Sequence, residues 1–225
     1  MERTLRIGVL ALQGAFREHA RALRALGAEV VEVRLPADLE QLDGLVIPGG
    51  ESTTITLLAE SFGLDAALRE FRRPILGTCA GTIVLDRDHY DLADVEVDRN
   101  AYGRQVKSFE ADVELRDDAV PLRGVFIRAP RIRAIGPGVE VLGRLDGEPV
   151  LARDGRFLLA TFHPELTDDL RVHDLFLEMV GEEQHHRRTG APRAKHPVAS
   201  GVSLRRSRAL PGGSRRRPGG RDVGA

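Results

Sequence analysis

Three short segments carry residue types that could do chemistry together: Gly77-Thr78-Cys79-Ala80-Gly81, His163-Pro164-Glu165 and Pro48-Gly49-Gly50-Glu51-Ser52. Cys79 is the sole cysteine among 225 residues, which excludes an internal disulfide framework and a multi-cysteine zinc site. It stands between a short apolar run, Pro74 to Gly77, and a helix-forming stretch, Ala80 to Leu85. That is the pattern of a strand-turn-helix elbow, in which a tight turn pushes one nucleophilic side chain out of a sheet. A lone cysteine is ordinarily a small buried hydrophobe. The turn, and a helix N-terminus whose amides and dipole favour thiolate, make Cys79 a candidate nucleophile instead. His163 follows the apolar run Phe157 to Phe162, so it too emerges at a strand end. If the strand continues, His163 and Glu165 project to the same side. A carboxylate there holds one imidazole nitrogen while the other takes a thiol proton. Alone, His-Pro-Glu reads as a surface turn with an incidental charge; with Cys79 it completes a set of nucleophile, base and orienter. The Gly49-Gly50 turn lacks the Gly-Lys-Ser/Thr of a phosphate loop. It reads as a turn before a helix capped by Ser52 or Thr53, with the backbone N–H of Gly50 available to join that of Ala80 as an oxyanion hole.

Elements that could position these segments alternate along the chain. Arg6 to Leu12 is a continuous apolar run expected to be a strand buried on both faces. A helix is expected from Phe16 to Leu26, closed at Gly27. Strands follow at Glu29 to Val33, Gly44 to Ile47 and Pro74 to Gly77, with a helix from Ser52 or Thr53 to Phe62 between the last two. Beyond Asp94 the pattern is more strand-like, at Val106 to Leu115, Gly124 to Arg128, Val139 to Leu145, Val150 to Arg153 and Phe157 to Phe162. A last amphipathic helix is expected over Asp169 to Val180. Alternating β and α units predict a single α/β domain with a mostly parallel central sheet flanked by helices. Ligands of such sheets sit beyond the carboxyl ends of the strands, where all three chemical segments fall.

The formal net charge of -1 averages two unlike parts. Residues 1–180 carry 22 basic and 31 acidic side chains, a net of -9, whereas residues 181–225 carry 11 basic and 3 acidic, a net of +8. The second part also holds 8 Gly and 4 Pro, so it cannot bury enough apolar surface to offset its ordering entropy and is expected to be a disordered tail. Its Arg clusters could serve a polyanion. With no aromatic residues interleaved and no nucleic-acid-binding fold beside it, a solvated tail is the simpler reading, and a nucleic-acid partner is not expected. No apolar run approaches the length of a membrane span or a secretory signal, which points to a cytoplasmic protein.

In this order the three motifs resemble the glutaminase domain of class I, triad-type glutamine amidotransferases, with a flavodoxin-like fold. The resemblance is more specific to the glutaminase subunits of pyridoxal 5′-phosphate synthases. It covers nearly all of residues 5–180 through LALQGAFREH (Leu10 to His19), PGGESTTI (Pro48 to Ile55), GTCAG (Gly77 to Gly81), RNAYGRQVKSFEAD (Arg99 to Asp112), GVFIRAP (Gly124 to Pro130) and FHPELTDD (Phe162 to Asp169). The resemblance implies hydrolysis of L-glutamine to glutamate and ammonia, without metal or cofactor. Cys79 would be the nucleophile, His163 the proton shuttle and Glu165 its orienter. Gly50, Glu51, Ser52, Arg99, Ile127 and Arg128 would line the glutamine site, and Gln13 would be a conformational or interface residue. It further implies delivery of the ammonia to a (β/α)₈-barrel synthase subunit in a large hetero-oligomer that makes the vitamin B6 cofactor. One departure is visible: the stretch from Gly81 to Arg99 is shorter than the family's by about one or two helical turns, so the helix after Cys79 should end early.

Three rival readings come from other classes. A stand-alone cysteine amidase on the same sheet would need no ammonia acceptor. A silent regulatory subunit would have no need of an intact Cys79, His163 and Glu165. A polyanion-binding protein would depend on residues 181–225, which the glutaminase reading treats as dispensable.

Overall fold

In the computed structural model the described residues are 3–99 and 108–189. In chain order the strands are β1 (Arg6–Leu10), β2 (Glu29–Val33), β3 (Gly44–Ile47), β4 (Ile75–Thr78), β5 (Val95–Asp98), β6 (Phe109–Leu115), β7 (Asp118–Phe126), β8 (Arg131–Ile135), β9 (Glu140–Leu145), β10 (Glu148–Asp154) and β11 (Phe157–Ala160). The α-helices are α1 (Phe16–Ala25), α2 (Ser52–Ser61), α3 (Leu64–Glu70), α4 (Ala80–Leu85) and α5 (Arg171–Thr189). Nine strands make one sheet in the order β2-β1-β3-β4-β11-β10-β9-β6-β7. The first five are mutually parallel, as the apolar runs predict. From β11 onward the sheet continues as an antiparallel meander.

The parallel strands are apolar on both faces because both are covered. Alternate side chains divide between two cores. Leu45, Ile47, Ile75, Phe157 and Leu159 face Ile55, Leu64, Leu68 and Val84 of α2, α3 and α4. Val46, Leu76, Leu158 and Ala160 face Leu23 of α1 and Val172, Phe176 and Val180 of α5. Each fully buried Leu, Ile or Phe contributes about 1.5–3 kcal/mol, so the strand ends that carry the chemical loops rest on the best-packed part of the molecule.

Several boundaries differ from those expected. The cap of α2 is Glu51, not Ser52 or Thr53: its carboxylate accepts from the N–H groups of Thr53 and Thr54. Gly63 does not end the helical region but turns it into α3, a helix too short to be expected from periodicity. The four-residue β5 and five-residue β8, too short to stand out, pair antiparallel as a second small sheet. The early end expected after Cys79 is seen, since α4 closes at Leu85. The last helix runs past Val180 to Thr189. Residues 181–189 are therefore helical, because Glu182, Glu183, Gln184, Arg187 and Arg188 are good helix formers and Glu182 reaches Arg153 at 3.5 Å. The remaining tail, 190–225, and Val106 and Lys107 of the expected strand lie outside the described residues.

Candidate active site

Since β1, β3, β4 and β11 are adjacent and parallel, their carboxyl ends share one edge of the sheet. The loops there hold Gln13, Gly49 to Glu51, Cys79, and His163 to Glu165. Cys79 takes φ 46°, ψ -106° between β4 and α4. A non-glycine residue held at positive φ costs about 1–3 kcal/mol and persists only where its surroundings over-determine it. Here the Cys79 N–H donates to Ala160 O at 2.8 Å, and the Thr82 hydroxyl, one turn on, lies 3.0 Å from Gly77 O and 2.9 Å from Ala160 O. The thiol points toward the Ile127 carbonyl, 3.9 Å away.

His163 and Glu165 meet as expected, but not through strand alternation. β11 stops at Ala160, and Pro164–Leu166 form a 3₁₀ turn that folds the carboxylate back onto the ring. His163 Nδ1 lies 2.7 Å from Glu165 Oε1, leaving Nε2 for Cys79. Burial alone would lower the His163 pKa, but the hydrogen bonds and charges of Cys79 and Glu165 outweigh it and push it up to about 10. Burial would likewise raise Glu165, yet His19 and His163 hold it below the usual carboxylate range. The pair is thus a carboxylate beside an imidazole that keeps its proton at neutral pH and can hand it to a leaving group.

Gly49 sits directly over this pair. A Cβ at that position would fall 2.3 Å from His163 Cε1 and 3.0 Å from Cys79 Cβ, so only glycine lets the loop close on the imidazole. Gly49→Ala should therefore displace His163 and lower kcat/KM for the reaction about 100-fold, while the thermal midpoint shifts by only a few degrees; steady-state kinetics with a melting curve checks this. The loop is held from the other side by Gln13, whose Oε1 accepts from the Glu51 N–H at 2.8 Å, and by Gly14. At φ 95°, Gly14 approaches Gly49 O so closely that a Cβ would be 1.8 Å from it. Gln13 accordingly acts on loop conformation.

Among the described residues, the backbone N–H groups of Gly50 and Ala80 meet no acceptor, which leaves both for a developing oxyanion. Ser52 is buried at the start of α2, and Glu51 is exposed with its carboxylate on the helix cap. The Thr54 hydroxyl and amide hold Glu51 below its ordinary pKa. The small β5–β8 sheet sets the two arginines. Arg99 follows β5, Arg128 precedes β8, and the register pairs Asp98 with Arg131, so both lie on one rim. Arg99 reaches Thr53 Oγ1 at 3.2 Å and His89 Nε2 at 2.8 Å, placing it beside the Glu51–Ser52 loop despite the shortened connection. Arg128 is exposed at φ 46°. Among the described residues, no group of three His, Cys, Asp or Glu side chains could hold a metal ion.

Sequence reasoning missed His19, Thr78 and His173, all fully buried behind the triad. The available signal was a histidine on each apolar helix stripe: His19 with Ala20 and Leu23, and His173 with Phe176, Leu177 and Val180.

A family profile described as the SNO glutamine amidotransferase family matches residues 9–182. Among curated relatives, a pyridoxal 5′-phosphate synthase subunit PdxT of Thermus thermophilus is 52% identical over 187 residues, spanning 78% of this chain and 97% of the relative. Its Oenococcus oeni counterpart is 47% identical over 190 residues, spanning 80% of this chain and 100% of the relative. Among solved structures, one described as a glutamine amidotransferase is 49% identical with a TM-score of 0.72, covering 78% of this chain and 98% of its own. A second, from Thermotoga maritima and also described as a glutamine amidotransferase, is 16% identical with a TM-score of 0.53 over 84% of this chain and 87% of its own, and shares the fold.

Proposed function

The chain belongs to the SNO glutamine amidotransferase family, and from that premise we propose how its own residues carry out the reaction. The activity is that of a glutaminase: glutamine is hydrolysed to glutamate and ammonia, and the ammonia feeds pyridoxal 5′-phosphate synthesis through a partner synthase subunit. Cys79 Sγ attacks the carboxamide carbon with its proton already resting on His163 Nε2. The tetrahedral oxyanion is met by the Gly50 and Ala80 N–H groups. His163 then returns the proton to the departing nitrogen, which leaves as ammonia, and a thioester remains on Cys79. Water, activated by the same imidazole, attacks the thioester and releases glutamate. Glu165 orients His163 throughout. The observation that carries this reading is the 2.7 Å His163–Glu165 pair at the strained Cys79 turn.

Arg99 and Arg128 would receive the substrate α-carboxylate, for which a guanidinium fork is suited, while Gly50, Glu51, Ser52 and Ile127 line the cleft. With the Glu51 carboxylate on the helix cap, its remaining lone pairs would meet the α-ammonium. We assign the glutaminase to residues 1–180. A (β/α)₈-barrel synthase subunit in a large hetero-oligomer, and a cytoplasmic setting in which the thiol stays reduced, belong to the same proposal. Among the described residues, no helix is long and apolar enough to cross a membrane. Neither a stand-alone amidase nor a silent subunit is favoured, because the relatives matched almost end to end are synthase subunits and the triad is complete. Ammonia release from glutamine, measured with and without the partner subunit, tests the assignment. Stimulation of at least about tenfold is expected, in line with coupling energies between sites. Full activity without the partner would contradict the dependence but not the chemistry.

A further inference from the structure

Behind the triad lies a line of buried polar groups that the reaction above does not use. Glu165 is 1% exposed, and His19, Thr78 and His173 are each 0% exposed. Glu165 Oε1 is occupied by His163, while Oε2 has no partner of hydrogen-bond geometry. What faces it is His19 Nε2 of α1, at 3.2 Å. The same Nε2 lies 3.1 Å from Thr78 Oγ1, and that hydroxyl oxygen accepts from the Gly49 N–H at 3.0 Å. On the far side of the ring, His19 Nδ1 is 2.9 Å from His173 Nε2 of α5.

The hydrogen positions follow from the acceptors. Glu165 as an anion only accepts, so His19 Nε2 must carry the hydrogen. Burial drives both imidazoles toward neutrality, pushing His173 down to about 3 and lowering His19. His19 Nδ1 is then a lone pair that accepts from His173 Nε2–H. The opposite tautomers would set a lone pair against Oε2 and strand the His173 Nδ1–H with no acceptor, which in a buried site costs about 1–3 kcal/mol.

We propose that His19 is a positioning residue for the glutaminase reaction: its Nε2–H edge joins Glu165 Oε2 to Thr78 Oγ1, so one imidazole fixes both the orienting carboxylate and, through Thr78, the Gly49 loop. The two halves of the site, triad and oxyanion loop, are thereby set relative to each other by a side chain that touches no substrate. His173 supports the tautomer from behind. The inference rests on the triad reading of Cys79, His163 and Glu165.

The groups facing Glu165 are His163 of its own segment, His19 of α1 and, beyond them, Cys79 and His173; Glu18 neighbours His19. Removing the His19 N–H leaves Glu165 easier to protonate. The acid limb of the pH profile must then move to higher pH.

The test uses the full chain with its partner synthase subunit, measuring glutamate release for wild type, His19→Leu and His19→Gln from pH 5 to 9. His19→Leu should lower kcat about 10- to 100-fold, the rate equivalent of losing a buried N–H that faces a carboxylate at contact distance. KM for glutamine should change less than about threefold, since that contact is made to no part of the substrate. The acid limb of kcat/KM should rise by about one pH unit, the equivalent of the same contact. His19→Gln, which keeps an N–H donor, should restore most of kcat and return the limb. An unshifted limb in His19→Leu, or His19→Gln no better than His19→Leu, would overturn the proposal. Should His19→Leu not fold, nitrogen-15 NMR of the wild-type histidines decides it: His19 must be the neutral Nε2–H tautomer, and Nδ1–H would refute the assignment. A faulty triad reading would appear separately, as retained activity in Cys79→Ala.

Discussion

Cys79→Ala is expected to abolish ammonia release from glutamine, by about 10,000-fold or more, because the covalent route disappears with the sulfur. The fold should survive. Alanine loses only the thiol, and the strained turn at φ 46° is held by bonds from the Cys79 N–H to Ala160 O and from the neighbouring Thr82, not by the side chain. Glutamine should still bind with near wild-type affinity, as the cleft residues are untouched. Continuous glutamate detection with the partner subunit present, beside calorimetric binding of glutamine, separates these outcomes. Turnover within tenfold of wild type would sink the mechanism. Lost binding with an intact fold would instead place the thiol in substrate recognition.

His163→Asn should slow acylation by about 1,000-fold or more while leaving glutamine bound. The imidazole would hold the thiol proton and give it to the leaving nitrogen, and an amide can do neither. Its wild-type pKa, pushed up to about 10 by Cys79 and Glu165 against the lowering effect of burial, means that the ring retains a proton across neutral pH. Nearly all of this stabilisation belongs to the pairing with those two residues. Raising the pH through about 10 should therefore discharge His163 in the wild type and end that pairing, whereas His163→Asn should lack the transition altogether. Single-turnover thioester formation measured across pH 6 to 11 is the check. A variant that acylates normally but fails to release glutamate would restrict His163 to the second half-reaction.

Much of this site was legible along the chain because strand ends announce themselves. Apolar runs at Gly44 to Ile47, Pro74 to Gly77 and Phe157 to Phe162 each stop at a small, polar or titratable residue, and parallel strands must deliver those stops to one edge. Cys79 and His163 could be paired for that reason. Glu165 meets His163 by a different route from the one its spacing suggests, since a 3₁₀ turn rather than a continued strand brings it there. The cap of α2 lies one or two residues before the serine and threonine that its sequence suggests, because the longer Glu51 side chain curls back to Thr53 and Thr54. The short α3, β5 and β8 carry no periodic signal because seven, four and five residues present too few repeats of any period. The two arginines on their shared rim depend on that unseen β5–β8 pairing.

The single cysteine, the His-Pro-Glu segment, the alternating elements and the resemblance they support were determined by the sequence alone, because each is a local pattern of residue types and spacings. Only the tertiary structure decided that Gly49 must lack a Cβ beneath His163, that Gln13 holds the Gly49–Glu51 loop, and that His19, Thr78 and His173 stand behind Glu165. These contacts join residues between 38 and 154 positions apart. Their existence depends on how two helices pack on one face of a sheet, and no local periodicity records which buried polar atom will meet which.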